Sequence, residues 1–255
     1  MLTIAIASLS RGQGKSTTTL ILASKLDSLY PTLDIYADPQ HNLTTYLGLE
    51  LHSLQPTLLE FLKKSVSFED TIYPIEGSEN LFLIPADDQL DIANEYLSGS
   101  GMGAMMLSRR LEPLANTFKL CIIDSPPQRS QIAKTVIGAA NFLVIPAEAN
   151  IKGYGSLVRT LDLLDSMQEI RATTASLMGV IPFRDKWVGL NQTQESRLAV
   201  EGMREEVKDL VLPSIRESER YKQAINKQLS LEKLGYPELE YPFDVLIEKI
   251  SEELK

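Results

Sequence analysis

The chain has 255 residues, of which 44% are apolar and 23% charged, and a formal net charge of −9. That length can bury a large core, in one α/β domain or two smaller ones, and the composition is ordinary for a globular protein. The acidic balance argues against broad attraction to nucleic acid or anionic membrane, so any such binding needs a local basic patch.

No apolar run approaches the roughly 18 residues of a membrane span, and "MLTIAIA" enters a strand pattern with no basic leader, which points away from a signal peptide. Cys121 is the lone cysteine and cannot form an internal disulfide, in keeping with a reducing cytoplasm. The two histidines, His41 and His52, are too few and too unaccompanied for a metal site.

In chain order, short apolar runs recur at 2–7, 33–37, 81–85, 120–124, 142–146, 177–183 and 209–213. Most are continuously apolar, the pattern of strands buried on both faces. Helical spacing lies between them: Leu20, Ala23, Leu26 and Leu29 over 15–29, and Leu157, Leu161, Leu164 and Met167 over 155–170. The alternation predicts a mostly parallel twisted sheet of about seven strands flanked by helices, with right-handed crossovers. The segment "SGSGMGAMM" (98–106) reads as a flexible loop running into a helix, its methionines as core or interface filler. In the tail, Phe243, Leu246 or Ile247, Ile250 and Leu254 predict a helix at about 243–254. Its polar face is mainly acidic, so it is expected to dock on its own domain and not on a membrane. The whole of 1–255 is read as a single domain.

The first loop carries the chemistry. Between the first run and the first helical pattern stands Ser10-Arg11-Gly12-Gln13-Gly14-Lys15-Ser16-Thr17. It ends as a phosphate-binding loop does, although Leu9 stands where such a loop has its first glycine. Gly12 and Gly14 let the backbone approach a ligand, and the N–H groups of a helix start can cradle phosphates. Lys15 would neutralise the β/γ oxygens of ATP, Ser16 would hold Mg²⁺, and Thr17 could reach the α-phosphate. Asp124, closing "LCIID", suits a Mg²⁺ contact through water. Asp38, closing the second strand in "YADPQHN", could orient the attacking water; a plain Asp-Pro turn is the alternative.

These pieces, in this order, resemble the ParA/MinD superfamily of ATPases with a deviant Walker A loop. The matching motifs are Ser10 to Ser16, then Asp38-Pro39-Gln40-His41-Asn42, then Ile122-Ile123-Asp124-Ser125-Pro126-Pro127. "LFLIPADDQLDIAN" and "VLPSIRESERYKQA" extend the likeness to roughly residue 235. The resemblance implies a P-loop fold of that type, ATP sandwiched between two subunits, and an adenine contact in the late segment around Pro213. Three departures stand out. The superfamily's signature lysine, which reaches the partner's phosphates, is Ser10 here; glycine is usual where Arg11 sits; and an acid is usual at Tyr36.

Phosphoryl transfer still needs positive charge at the γ-phosphate, and a cation supplied across an interface is worth roughly 10³–10⁵ in kcat. Lys152 follows the strand "FLVIP", and strand C-termini line the ligand crevice of a parallel sheet. It is therefore the leading replacement, with Gly153 and Gly155 read as permitting an unusual backbone path; Arg11 is the second candidate. Serine in the lysine slot with a later compensating lysine resembles the carboxysome-positioning branch of the superfamily. That resemblance implies a homodimer formed on ATP binding, non-specific binding to nucleoid DNA in the cytoplasm, no membrane, and a small adaptor protein of the McdB type on the cargo.

For DNA, the stretch 213–233 holds five cations against three carboxylates, a local surplus of +2. Arg216, Arg220, Lys222 and Lys227 are the candidate phosphate contacts, and with no helix-turn-helix pattern the binding would be sequence-independent. Two alternatives share the fold. One is a plasmid or chromosome partition ATPase with a ParB-type partner, and the other is a small-molecule ATP-dependent ligase. An iron–sulfur reductase is disfavoured because Cys121 lies inside a predicted strand.

Overall fold

The computed structural model describes residues 1–38, 46–49, 51–52 and 54–255. The motif residues Pro39, Gln40, His41 and Asn42 lie outside the described residues.

Among the described residues, one eight-stranded sheet organises the molecule. Its strands are β1 (Leu2–Ile6), β2 (Thr32–Tyr36), β3 (Tyr73–Pro74), β4 (Leu81–Ile84), β5 (Leu120–Asp124), β6 (Phe142–Glu148), β7 (Ser176–Asp185) and, beyond a small hairpin, β10 (Ile215–Arg216). The hairpin pairs β8 (Trp187–Val188) with β9 (Asn191–Gln192). The sheet order is β10-β7-β6-β1-β5-β2-β4-β3, all parallel except for β3 against β4.

Side chains alternate across each strand, so each strand supplies two cores. Ile4, Ile6, Ile122 and Val144 face one way, beneath α1 (Lys15–Leu26), α8 (Arg220–Lys227) and α9 (Tyr241–Glu253). Ala5, Ala7, Ile123 and Ile145 face the other way. That face is covered by α2 (Leu58–Lys63), α3 (Asp91–Gly99), α4 (Gly103–Leu111), α5 (Gln131–Ala139), α6 (Ile151–Glu169) and α7 (Gln194–Val207). Polar side chains start several helices by satisfying otherwise orphaned N–H groups. Thr57 and Glu60 form a capping box on α2, Ser130 caps α5, and Asn150 caps α6 by accepting from the Gly153 N–H at 2.9 Å. In α9, Phe243, Leu246 and Ile250 are fully buried on the α1 side of the sheet.

Several expectations need correction. The run at 209–213 is not a strand. Lys208–Leu210 is a short 3₁₀ turn entered at a positive φ of 52°, Val211 makes a single bridge to Val180, and Pro213 has no N–H to extend a ladder. Pairing with β7 resumes only at Ile215. The first helix stops at Leu26, leaving Leu29 exposed. Of the methionines in 98–106, Met106 packs against the core as expected, whereas Met102 and Met105 are exposed and fill no core within the protomer. Finally, α6 begins at Ile151, so Gly153 and Gly155 sit inside a regular helix and make no unusual backbone path. Gly153 is needed for a different reason: a Cβ there would lie 1.9 Å from the Glu148 carbonyl oxygen.

Candidate nucleotide site

The phosphate loop leaves the C-terminal end of β1, the strand held between β5 and β6. Gly12 and Gly14 both adopt positive φ, 82° and 91°, which L-residues resist. A Cβ on Gly14 would also strike the Phe183 ring at 2.5 Å, so that ring forms the floor of the turn. Gln13 is buried, and its Oε1 accepts from the Glu148 N–H at 2.8 Å, tying the loop to the end of β6. A small cavity of about 150 Å³ opens over the loop. Residues 11–17 line it together with Asp38, Pro127, Phe183 and Arg184.

Lys15 is buried, and its ammonium donates to the Ser10 carbonyl at 3.1 Å. Burial pushes its pKa down, while the charges of Asp124 and Asp38 pull the other way. Ser16 Oγ donates to Asp124 Oδ2 at 2.7 Å. Asp124 is fully buried, and its other carboxylate oxygen, Oδ1, has no hydrogen-bond partner. Burial raises this carboxyl to about 7, against the lowering effects of Lys15 and the Ser16 hydroxyl. A desolvated carboxylate with a free lone pair, beside a hydroxyl, fits Mg²⁺, which takes few protein ligands and keeps waters. Thr17 is half-buried at the same rim, and buried Asp38 faces the loop from the end of β2.

The other candidates lie further out. Ser10 is half-buried at the loop entry, and Arg11 is exposed at the cavity rim. Lys152 is exposed in the first turn of α6 and is not among the residues lining its own protomer's phosphate cavity. A second cavity of about 300 Å³ meets the loop at Thr17, Phe183 and Arg184 and extends to Arg216, Tyr221 and Lys222. Pro213 lines a neighbouring cavity with Trp187 and Arg216 instead. Of the basic candidates, Arg216 stacks on Trp187 at 4.3 Å, and Arg220 stacks on Tyr236 at 4.5 Å. Arg220 and Lys227, seven residues apart, share a stripe of α8; Lys222 lies off it and pairs with Glu219 at 3.2 Å.

Three features were not anticipated from sequence. Arg184 enters the cavity from a positive-φ position at the end of β7 and pairs with Glu148 at 3.4 Å. Arg159 on α6 donates to Ser10 Oγ at 3.1 Å; its spacing of seven from Lys152 was a usable signal. Asp34, fully buried, stands on the same face of β2 as Tyr36, with both carboxylate oxygens lacking partners. Burial and the nearby Asp124 push its pKa well up.

A parallel sheet whose central strand runs into such a loop defines the class: a P-loop nucleoside-triphosphate-binding protein. A family model described as "AAA domain" matches residues 1–175. Maintenance of carboxysome distribution protein A from Gloeothece citriformis is 52% identical over 252 residues, covering 98% of this chain and 97% of that protein. The protein of the same name from Synechococcus elongatus is 50% identical, covering 98% and 100%. Among solved structures, a Cyanothece McdA variant in complex with ATP superposes with a TM-score of 0.96 at 51% identity, covering 98% of this chain and 96% of that one. Accordingly, the chain belongs to the carboxysome-distribution family, McdA, of the ParA/MinD superfamily.

Proposed function

We propose that this chain is a Mg²⁺-dependent ATPase that works as a dimeric switch on nucleoid DNA and positions carboxysomes. The observation carrying the reading is the Ser16–Asp124 hydrogen bond beneath a glycine loop, with one buried Asp124 oxygen left without a partner. Bound Mg²⁺ would offset charge on the phosphate oxygens. Ser16 and Asp124 hold that position, and Lys15 leaves the Ser10 carbonyl for the β/γ oxygens. Asp38, buried at the cavity wall, orients the attacking water. Lys152 projects from its own protomer and completes the partner's site, supplying the charge that Ser10 does not. The cavity reached through Thr17, Phe183 and Arg184 is the place for the nucleoside.

The names of the relatives support the cargo: proteins of this length and half-identical sequence are named for carboxysome distribution. A small adaptor of the McdB type would then link the ATPase to its cargo. Dimerisation doubles the basic surplus around α8, enough for sequence-independent phosphate binding in an otherwise acidic chain. No helix among the described residues is long and apolar enough to cross a membrane.

The test is anisotropy of an unrelated duplex DNA, with ATP and Mg²⁺ or with ADP, at rising salt. Binding should require ATP, fail in Lys15→Ala, and weaken steeply with salt. Alanine in place of Arg216, Arg220, Lys222 or Lys227 should lower the salt slope by about one for each cation removed from a DNA phosphate. Binding that is insensitive to salt, or equal with ADP and ATP, would contradict the proposal.

A further inference from the structure

One stripe of α6 holds the entry to the phosphate loop residue by residue. Ser156 Oγ and Ser8 Oγ share a buried hydrogen bond at 3.0 Å. Thr160 Oγ1 accepts from the Leu9 N–H at 3.1 Å, and Arg159 donates to Ser10 Oγ at 3.1 Å. Positions 159 and 160 both lie one turn beyond 156 on one side of the helix, and Lys152 lies one turn before it. Ser10 is bonded on two sides: its side chain receives the Arg159 guanidinium, and its carbonyl receives the Lys15 ammonium.

We propose that Arg159 is a positioning residue for the ATPase reaction: it fixes Ser10, and through the Ser10 carbonyl it sets where the Lys15 ammonium waits before the triphosphate arrives. A buried ammonium needs an oxygen acceptor, and the Ser10 carbonyl is the acceptor here. Ser156 and Thr160 tie down the backbone just before residue 10, and Arg159 adds a charged donor to the side chain of residue 10 itself. The guanidinium also occupies the space beside residue 10, so the slot is suited to a small hydroxyl and not to a second cation.

This inference rests on the nucleotide-site reading above, and the variants separate the two. Calorimetric titration with Mg·ATP and steady-state ATPase assays compare the full-length wild type with Lys15→Ala, Ser10→Ala, Arg159→Ala, Arg159→Lys and the Ser10→Ala/Arg159→Ala double variant. Lys15→Ala tests the site itself: wild-type ATP affinity in that variant would sink the site reading whatever Arg159 does. If the site stands, Ser10→Ala and Arg159→Ala each weaken ATP binding roughly three- to tenfold, the net scale of one solvent-accessible hydrogen bond. The double variant is then no weaker than either single, because both changes remove one linkage. In Arg159→Ala, KM for ATP moves more than kcat, and Arg159→Lys recovers part of the loss. Arg159 is exposed, so its variants should melt with the wild type. Unchanged ATP affinity in Arg159→Ala, effects that multiply in the double variant, or a fall in kcat at constant KM would each overturn the assignment.

Discussion

Asp124 shows how one side chain can be costly to the fold and useful to the chemistry. Burial holds its carboxyl at about 7, where an ordinary aspartate sits near 3.8. The folded chain therefore keeps this proton at pH values where the unfolded chain has released it. Its contribution to stability is complete below about pH 4 and declines as pH rises toward 7. Asparagine at 124 carries no such penalty. Urea melts of the nucleotide-free protein should therefore show wild type losing about 2 kcal/mol relative to Asp124→Asn between pH 5.5 and pH 8, while the variant loses Mg²⁺-dependent turnover. Parallel pH profiles for the two proteins would remove the argument. At this scale the sequence was readable where a motif fixes geometry, as at Gly12, Gly14 and Lys15. It was not readable at Asp34: a carboxyl in a five-residue buried strand looks like any polar interruption until the sheet register shows what surrounds it. Asp34 lies two residues before Tyr36 on the same strand face.

Elements were legible by their interiors and not by their ends. The six central strand segments follow from mostly apolar runs, because strands covered on both faces bury nearly every side chain. The edges escaped for the same reason. β3 and β10 are two residues each, and the 209–213 run satisfies the apolar pattern without satisfying the ladder. The apolar spacing places the start of α6 too late because its first five residues carry two glycines, which read as a loop. Their roles differ, and substitution separates them. Gly153→Ala puts a methyl 1.9 Å from the Glu148 carbonyl oxygen and 2.6 Å from its backbone nitrogen. It should cost about 1–3 kcal/mol and move the start of α6, with Lys152, away from β6. Gly155→Ala meets only the Arg159 guanidinium, at 3.4 Å, and should stabilise the protein by about 0.5–1 kcal/mol through helix propensity. Chemical denaturation decides between them; equal effects at both positions would refute the close-approach explanation for Gly153.

For the whole molecule, the strand order places β1 and β6 side by side, which puts the phosphate loop and the start of α6 at one end of the sheet. Lys152 is exposed there and absent from the lining of its own phosphate cavity, as a residue acting on a partner's nucleotide would be. The same helix grips its own loop through Ser156, Arg159 and Thr160. One rigid element thus serves the loop of its own protomer and, in the proposed dimer, the triphosphate of the other. Composition alone pointed away from DNA. What makes nucleoid binding reasonable is a local charge reversal that only dimerisation makes large, and no single-chain average reports that.

The borrowed lysine is tested most directly by mixing two inactive proteins, one carrying Lys15→Ala and the other Lys152→Ala, and measuring ATP turnover. Exchange of subunits creates a site with Lys15 from one chain and Lys152 from its neighbour, so the mixture should regain turnover that neither parent shows. A mixture as inactive as its parents, or a Lys152→Ala homodimer as active as wild type, would contradict the account.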